Sequence, residues 1–397
     1  MKTIFDIYSK EEIEKIIKQI HIAFNNGYKD DEILKKVNLD MIEELISLAK
    51  ARLEAQKEFS KKIYNVKYFN IDDLRFGTPV SVAEFRAKKL KCNKIVDLCS
   101  GIGLQSFAFS KQCSEVLSVE IDERKSKYSI MNFGEQKNIT FICGDVLSKE
   151  IVKKVSDFKP DIIFCDSERQ VNEKERSLQT IKPNLKDLIS IYEKICPNIC
   201  IEIPPRIDLE KLKDLDCEKE YLSLNSKLNR LDLNFGNLKK FDVKVVDVES
   251  GVYIFKDSNV NSIKVTDKIN SFIYELSEAV IKADLINEIG ELINADLLKF
   301  CEENKVLLTN KTPNVDFKHL ADCYKVIGIS KNIDNAINIL KKESVGKVVI
   351  KYSINPKYYW KERNRYENNI RGKKEVFIFK IFNKKRKISY VICERLT

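Results

Sequence analysis

The stretch VDLCSGIG, at residues 96–103, decides the fold that this sequence predicts. A short apolar run at 94–98 leads straight into Gly101 and Gly103, and a helical pattern follows at 104–111. Glycines allow a backbone to approach a ligand closely, and the first turn of a helix has N–H groups without partners inside the helix. The stretch therefore predicts a strand, a ligand-binding loop and a helix in succession.

Four more apolar segments, separated by helical patterns, extend this unit toward the C-terminus. Strands that alternate with helices indicate βαβ units, in which a parallel sheet is covered by helices on both faces. We therefore predict an α/β fold with a Rossmann-like sheet. The four segments lie at residues 116–122, 139–145, 160–166 and 198–203.

Acidic residues at the strand ends indicate what the sheet binds. Ligands of open parallel sheets bind outside the carboxyl ends of the strands. Glu120 ends the second strand, where a carboxylate can accept hydrogen bonds from both hydroxyls of a ribose, and Asp145 ends the third, where it can face an adenine amino group. A structural alternative is that these acids only cap strand-to-helix turns. We favour a nucleoside lying across the strand ends.

The glycine pattern distinguishes between two cofactors. A dinucleotide-binding loop would carry a third glycine where this chain has Ser106. The loop also follows an acid, Asp97, which suits a cationic ligand with an amino-acid moiety. The residues therefore predict S-adenosylmethionine as the cofactor. Its predicted binding residues are Asp97, Cys99, Ser100, Gly101, Gly103, Glu120, Ile121, Asp145, Val146 and Asp166.

Charge is distributed unevenly along the 397 residues, which carry 70 Lys and Arg against 60 Asp and Glu. Residues 341–397 contain 17 Lys and Arg and 5 Asp and Glu, a net charge of +12, which leaves −2 for residues 1–340. Aromatic residues are interleaved with these cations. Cations attract phosphates and aromatic rings stack on bases, so the segment predicts contact with RNA. The alternative is a solvated basic face whose aromatic residues lie in the core.

Composition also bears on location and metal binding. No window approaches ~18 consecutive apolar residues, and Asp6 interrupts any early apolar run, so we expect a cytoplasmic protein without a membrane span. The 11 cysteines are scattered through apolar runs, and the two histidines, His21 and His319, are far apart in sequence. We therefore expect neither a disulfide framework nor a metal site.

Several segments resemble a known family. VDLCSGIG, VLSVEID at 116–122 and FICGD at 141–145 resemble motif I, the acid that follows it and the adenine-facing acid of class I S-adenosylmethionine-dependent methyltransferases. Other segments resemble the group of these enzymes that has a ferredoxin-like unit and a THUMP-like C-terminal domain. The resemblance implies methylation of a structured RNA, such as tRNA or rRNA. The further segments are FGTPVSVAEFRA at 76–87, FCDSER at 164–169, EIPPRID at 202–208, CEKE at 217–220, SGVY at 250–253 and VGKVVIK at 345–351.

Five parts of the chain follow from the patterns and the resemblance together. We predict an N-terminal helical segment, a methyltransferase domain, a small strand-rich unit, a helical connector and a basic α+β domain. They comprise residues 1–67 (helical segment), 68–215 (Rossmann-like methyltransferase domain), 216–262 (ferredoxin-like unit), 263–320 (helical connector) and 321–397 (THUMP-like domain).

Asp166 and Arg169 are the predicted catalytic residues. They belong to the segment Asp-Ser-Glu-Arg at 166–169, which lacks the proline of the family's Asp-Pro-Ala-Arg-Arg motif and keeps one of its two arginines. Asp166 can orient an amine or accept a proton at the end of the fourth strand. Arg169 can hold a phosphate or pair with nearby acids. Glu202, at the end of the fifth strand, can touch the substrate or cap the turn.

The main hypothesis is an S-adenosylmethionine-dependent methyltransferase that acts on RNA. One alternative is an RNA-binding protein that keeps the cofactor fold with little or no turnover, because the 166–169 motif departs from the family pattern. Another is a protein or small-molecule methyltransferase, which has no need of the basic end. A covalent mechanism through Cys165 is disfavoured, because strand alternation points it away from Asp166.

Overall fold

The structure is a computed structural model that describes residues 2–56, 64, 66–167, 178–302, 305–368, 370–382 and 387–396. The chain forms two compact units. The first comprises residues 1–219 and 230–240, and the second comprises residues 220–229 and 241–397.

Helices and strands of the first unit alternate from residue 80 onward, as the sequence pattern predicts. Its helices are α1 (Lys10–Asn25), α2 (Asp30–Lys36), α3 (Ile42–Glu54), α4 (Ile71–Phe76), α5 (Val80–Lys89), α6 (Leu104–Ser110), α7 (Glu123–Phe133), α8 (Lys149–Phe158) and α9 (Leu185–Tyr192). Its strands are β1 (Lys94–Leu98), β2 (Glu115–Glu120), β3 (Ile139–Cys143), β4 (Ile162–Asp166) and β5 (Ile199–Ile203), and β6 (Glu218–Leu224) and β7 (Lys227–Asn234) each run across the division between the units.

The sheet of the first unit has the order β3-β2-β1-β4-β5-β7. Strands β1 to β5 are parallel, and the side chains of Ile95, Val96 and Leu98 on central β1 are fully buried. The carboxyl ends of these five strands therefore meet at one edge of the sheet. The bounds of the strands differ by at most two residues from the predicted bounds. The Rossmann-like α/β fold is confirmed.

Strand β7 extends this sheet beyond the predicted boundary at residue 215. Its residues 231–234 pair antiparallel with residues 200–203 of β5. The predicted bounds place this strand in the ferredoxin-like unit at 216–262. The pattern of a half-buried strand shows that one face packs against a core, but it does not reveal which distant strand is the neighbour.

The second unit contains an eight-stranded sheet, a hairpin and several short helices. The hairpin joins β8 (Val243–Asp247) and β9 (Tyr253–Phe255) in antiparallel pairing. The sheet has the order β10-β12-β13-β11-β14-β17-β16-β15. Its strands are β10 (Val265–Thr266), β11 (Phe272–Leu276), β12 (Asp296–Leu298), β13 (Leu307–Asn310), β14 (Ala321–Ser330), β15 (Val345–Ile350), β16 (Lys374–Phe382) and β17 (Ile388–Arg395). The helices are α10 (Glu278–Lys282), α11 (Ile286–Leu292), α12 (Ile333–Lys342) and α13 (Tyr359–Glu367).

The structure differs from the helical connector predicted at 263–320. This segment contains β10, β11, β12 and β13 as well as two short helices, and β11 pairs antiparallel with both β13 and β14. The predicted boundary at residue 320 therefore falls inside one sheet. Short apolar runs such as 272–276 fit a helical and an extended pattern equally well, and only the pairing with β14 selects the strand.

Two kinds of feature are absent from the described residues. None of the helices in this part of the chain combines the length and the apolar character that a membrane crossing needs. The same part of the chain contains no group of three or more His, Cys, Asp or Glu side chains arranged to hold a metal ion.

Candidate active site at the carboxyl ends of the parallel strands

The loop between β1 and α6 depends on two glycines that act differently. Both have a left-handed backbone, with φ of 57° at Gly101 and 83° at Gly103. A Cβ on Gly103 would lie 2.2 Å from Ser129 Oγ, so this glycine lets the loop pack against α7. A Cβ on Gly101 would meet nothing within 4 Å. Gly101 therefore leaves open space beside the backbone, which a ligand can occupy.

Alanine at these two glycines should have different effects. Both replacements place a side chain at positive φ, which costs about 1–2 kcal/mol of stability. Gly103→Ala should cost more than this, because its Cβ collides with Ser129. Gly101→Ala should mainly weaken cofactor binding. Urea denaturation and calorimetric titration of both variants test this, and equal losses of stability with equal affinities would contradict it.

Glu120 is held beside the loop by two backbone hydrogen bonds. Its Oε2 accepts from Gly101 N at 2.7 Å and its Oε1 accepts from Asp122 N at 2.8 Å. A carboxylate has about four acceptor sites, so it can still accept hydrogen bonds from ribose hydroxyls. The next residue, Ile121, is 64% exposed and presents an apolar side chain that an adenine ring can cover.

Asp145 follows β3 at the neighbouring strand end. Gly144 N donates to the carbonyl oxygen of Glu120 at 2.9 Å, which ties the ends of β2 and β3 together. The Asp145 side chain is exposed, and its Oδ1 accepts from Leu147 N at 2.9 Å. Val146 is buried, and its carbonyl oxygen accepts from Tyr192 Oη at 2.6 Å, so its side chain belongs to the core. The structure thus brings Gly101, Glu120 and Asp145 to one edge, where the sequence predicts them.

Asp97 lies behind the loop and is fully buried. Ser106 Oγ donates a hydrogen bond to Asp97 Oδ2, and Ser106 Oγ lies 3.0 Å from Ser118 Oγ, which is 2.9 Å from Ser100 Oγ. Asp97 Oδ1 is buried and has no hydrogen-bond partner among the described residues. Burial raises the pKa of Asp97 to about 7. The carboxyl is therefore able to change its charge in response to a cationic ligand.

Cofactor affinity should depend on pH through Asp97. Its pKa of about 7 means that the carboxyl is protonated below neutral pH, whereas a bound cation favours the ionised form. Affinity should therefore rise as the pH increases from about 6 to about 7.5, by at most about tenfold for one linked proton. Calorimetric titration at both pH values measures this. Asp97→Asn is the matched control and should remove the difference, and a wild-type affinity independent of pH would contradict the role.

Asp166 ends β4 beside a buried ionic cluster that the sequence does not predict. Asp166 and Glu202 are register partners on neighbouring strands. Glu202 Oε2 lies 2.6 Å from Arg86 Nη2, and Glu202 Oε1 lies 2.7 Å from Arg230 Nε. Glu202 therefore acts mainly as the centre of an ionic cluster. Burial and, to a lesser extent, the Glu202 carboxylate raise the pKa of Asp166 above its usual value, while both arginines oppose this shift.

Arg86 joins this cluster to β7. Its Nε and Nη2 donate to the two carboxylate oxygens of Asp232 at 3.1 and 2.6 Å, and both side chains are fully buried. Its Cζ also lies 5.1 Å from the ring centroid of Phe164 on β4. The sequence gives one indication of the position of Arg86. It lies in the segment FGTPVSVAEFRA, three residues after Ala83 on the buried face of α5. Its partners lie too far along the chain to be inferred.

The structure describes Cys99 and Cys165 at this edge of the sheet. Cys165 is fully buried with its Sγ 4.0 Å from Cys99 Sγ, and this contact and burial raise its pKa, so a nucleophilic thiolate is disfavoured. Cys99, which has a φ of 61°, lies in the loop as predicted. Arg169, the second predicted catalytic residue, lies outside the described residues.

The site has features that S-adenosylmethionine requires. The Asp97 oxygen without a partner can complement positive charge, the space beside Gly101 accommodates a ligand, and exposed Ile121 can cover an adenine ring. Glu120 and Asp145 offer carboxylate acceptors at adjacent strand ends. These residues fit the predicted cofactor.

Comparisons with known proteins bear on the fold and on the cofactor. Residues 92–270 match the sequence profile of a family described as RNA cap guanine-N2 methyltransferase. A crystal structure of a candidate methyltransferase from Porphyromonas gingivalis W83 has a TM-score of 0.74 at 17% identity, covering 98% of this chain and 100% of that chain. A candidate RNA methyltransferase from Pyrococcus horikoshii covers 47% of this chain and 96% of that one at 17% identity, but its TM-score of 0.29 is too low to support an argument. The chain thus has the fold of a class I methyltransferase and is similar in sequence to a methyltransferase family, and these findings support S-adenosylmethionine as its cofactor.

Proposed function

We propose that this chain is an S-adenosylmethionine-dependent methyltransferase that acts on a structured RNA, such as tRNA or rRNA. The observation that carries the proposal is the placement of Gly101, Glu120 and Asp145 at the ends of β1, β2 and β3, with Asp166 at the end of β4. Similarity to an RNA methyltransferase family over residues 92–270 supports RNA as the substrate class. Transfer of a labelled methyl group from the cofactor to cellular RNA tests it.

The residues of the site would have three roles, which are cofactor binding, neutralisation of charge and proton transfer. When bound, S-adenosylmethionine supplies an electrophilic methyl group on a sulfonium. Glu120 would accept hydrogen bonds from the ribose hydroxyls. Asp145 would accept a hydrogen bond from the adenine amino group. Asp97 would balance positive charge from behind the loop. Asp166 would orient the acceptor or accept its proton, and its raised pKa makes the ionised form a stronger base than an ordinary carboxylate.

The acceptor atom is not assigned by these residues. Amino-methyltransferases grip an exocyclic amine with a Pro-Pro-aromatic motif after the fourth strand. This chain has Asp166-Ser167-Glu168-Arg169 at that position, and Pro204-Pro205 follows β5 instead. The departure from this motif keeps open a second candidate function, an RNA-binding protein with the cofactor fold and little or no turnover.

RNA docking is assigned in this proposal to the basic residues 341–397, which lie within the predicted THUMP-like domain at 321–397. Ion pairs within the second unit already neutralise part of the charge, since Lys351 lies 2.6 Å from Glu275 and Arg363 lies 2.9 Å from Glu367. Arg371 and Lys373 are exposed, and the basic run at 384–386 lies outside the described residues. A protein or small-molecule substrate would not require this excess of positive charge.

A further inference from the structure

The aromatic residues of the basic end differ widely in exposure, and Tyr359 and Phe382 are half-buried. Tyr366 and Phe379 are fully buried, and Tyr352, Phe377 and Tyr390 are each less than 10% exposed. These five rings belong to the core, as the alternative interpretation of the sequence predicts. Two others do not, because Tyr358 is 52% exposed and Trp360 is 65% exposed.

Trp360 has the highest exposed fraction among the large hydrophobic side chains of the described residues. Burying a large aromatic side chain contributes roughly 2 kcal/mol or more to stability, so a tryptophan left in solvent forgoes a large gain. Tyr358 and Trp360 lie two residues apart, at the start of α13. Four basic residues lie in the same short segment. The six residues, here called the aromatic-basic surface, are Lys357, Tyr358, Trp360, Lys361, Arg363 and Arg365.

Contacts within the second unit hold the indole ring of Trp360 in position. Arg363 Cζ lies 5.2 Å from the Trp360 ring centroid, and Arg363 Nε is in turn held by Glu367 Oε1 at 2.9 Å. The ring of Tyr359 meets that of Trp360 edge-on, at 86° and 5.6 Å between centroids. A ring that is already oriented loses little conformational entropy when a planar ligand stacks on it.

The aromatic-basic surface has a positive charge, because it contains four basic residues and the two acids beside it, Glu362 and Glu367, already have partners. Glu367 accepts from Val348 N at 2.8 Å as well as pairing with Arg363. Glu362 accepts from Tyr352 Oη at 2.9 Å and lies 4.0 Å from Arg365. Lys357 and Lys361 are exposed, and Lys357 Nζ lies 5.8 Å from the ring centroid of Tyr358. Cations beside aromatic rings can neutralise phosphates that flank a stacked base.

We propose that the aromatic-basic surface binds an unpaired segment of RNA, with a base stacked on Trp360 and a second contact at Tyr358, while Lys357 and Lys361 bind flanking phosphates. Bases inside a duplex are covered by their neighbours, so only a loop, bulge or single-stranded end can stack on these rings. The inference rests on the proposed function for the identity of the nucleic acid as RNA. It adds that the substrate presents a single-stranded segment to the second unit.

The chain contains one tryptophan, so its indole fluorescence reports on Trp360 alone. We expect single-stranded RNA oligonucleotides to quench this fluorescence saturably, and a duplex of the same length to quench it much less. Trp360→Ala should weaken binding of the single strand by roughly 5- to 100-fold, measured by fluorescence anisotropy of a labelled RNA. The matched control is Tyr253→Ala, because Tyr253 is an aromatic residue of the same unit, 48% exposed and outside this surface. It should leave the affinity unchanged.

Three results would overturn the inference. They are equal quenching by single strand and duplex, an RNA affinity that Trp360→Ala does not change, and fluorescence that responds to vesicles of anionic phospholipid but not to RNA. The last result would assign the surface to membrane binding.

Labelled methyl transfer by the same variants separates this inference from the proposed function. If RNA is methylated and fluorescence is unaffected, only the stacking role fails. If single strands quench fluorescence and no RNA is methylated, the methyltransferase proposal fails.

Discussion

Replacing Asp166 by alanine should lower the rate of methyl transfer to RNA by about 10²–10⁴-fold, the usual contribution of a positioned acid or base. Its effect on cofactor affinity should be far smaller, because the proposed partner of Asp166 is the acceptor in the transition state. Folding should be preserved, since the replacement removes a carboxylate next to that of Glu202. Single-turnover rates and calorimetric titration of the same preparation measure the two quantities separately.

Asp166→Asn is the matched variant that separates the two possible roles. An asparagine of nearly the same shape can orient an amine by its carbonyl oxygen but cannot accept a proton. If Asp166 acts as a base, the wild-type rate should rise with pH through its raised pKa, and the asparagine variant should lose both the rate and this dependence. If Asp166 only orients the acceptor, asparagine should retain much of the rate. A wild-type rate in Asp166→Ala would contradict both roles.

Replacing Arg86 by methionine should lower the free energy of unfolding by about 3–5 kcal/mol, because it leaves buried acids without their partner. Asp232 is fully buried and accepts two hydrogen bonds from Arg86. Arg86 also forms an ion pair with Glu202. Urea denaturation measures the loss. Replacing Asp232 by leucine in the same chain should restore part of the stability, because the isolated charge is then removed.

Lys89→Met provides the matched control for Arg86. Lys89 Nζ lies 3.4 Å from Asp232 Oδ2, but its side chain is 20% exposed. Its loss should therefore cost no more than about 1 kcal/mol, as for ion pairs that solvent screens. Equal losses of unfolding free energy in the two variants would show that the bidentate contact of Arg86 is not what stabilises this cluster.

The parts of the site that the sequence predicts are local to single strand ends. Gly101 and Gly103 lie in one loop, and Glu120 and Asp145 follow from the rule that parallel strands present their carboxyl ends at one edge. Ser106 shows the limit of this reasoning. The sequence marks it as a missing glycine, whereas the structure shows a donor to Asp97, which depends on how α6 packs on β1.

The parts that the sequence does not predict depend on distant pairings. Arg86 and Asp232 are 146 residues apart, and they meet because β7 lies antiparallel beside β5. The sequence predicts helix at 263–320 for a similar reason, since β11 becomes a strand through its pairing with β13 and β14. Local periodicity carries no information on such partners.

Methyl transfer to RNA is the measurement that tests the central claim most directly. Purified chain is incubated with S-adenosylmethionine labelled in its methyl group and with total cellular RNA, and the label in RNA is counted after digestion of protein. We expect label to accumulate in RNA with the wild-type chain and to fall by about 10²-fold or more with Asp166→Ala. If the wild-type chain binds the cofactor but leaves no label in RNA, it is not an RNA methyltransferase.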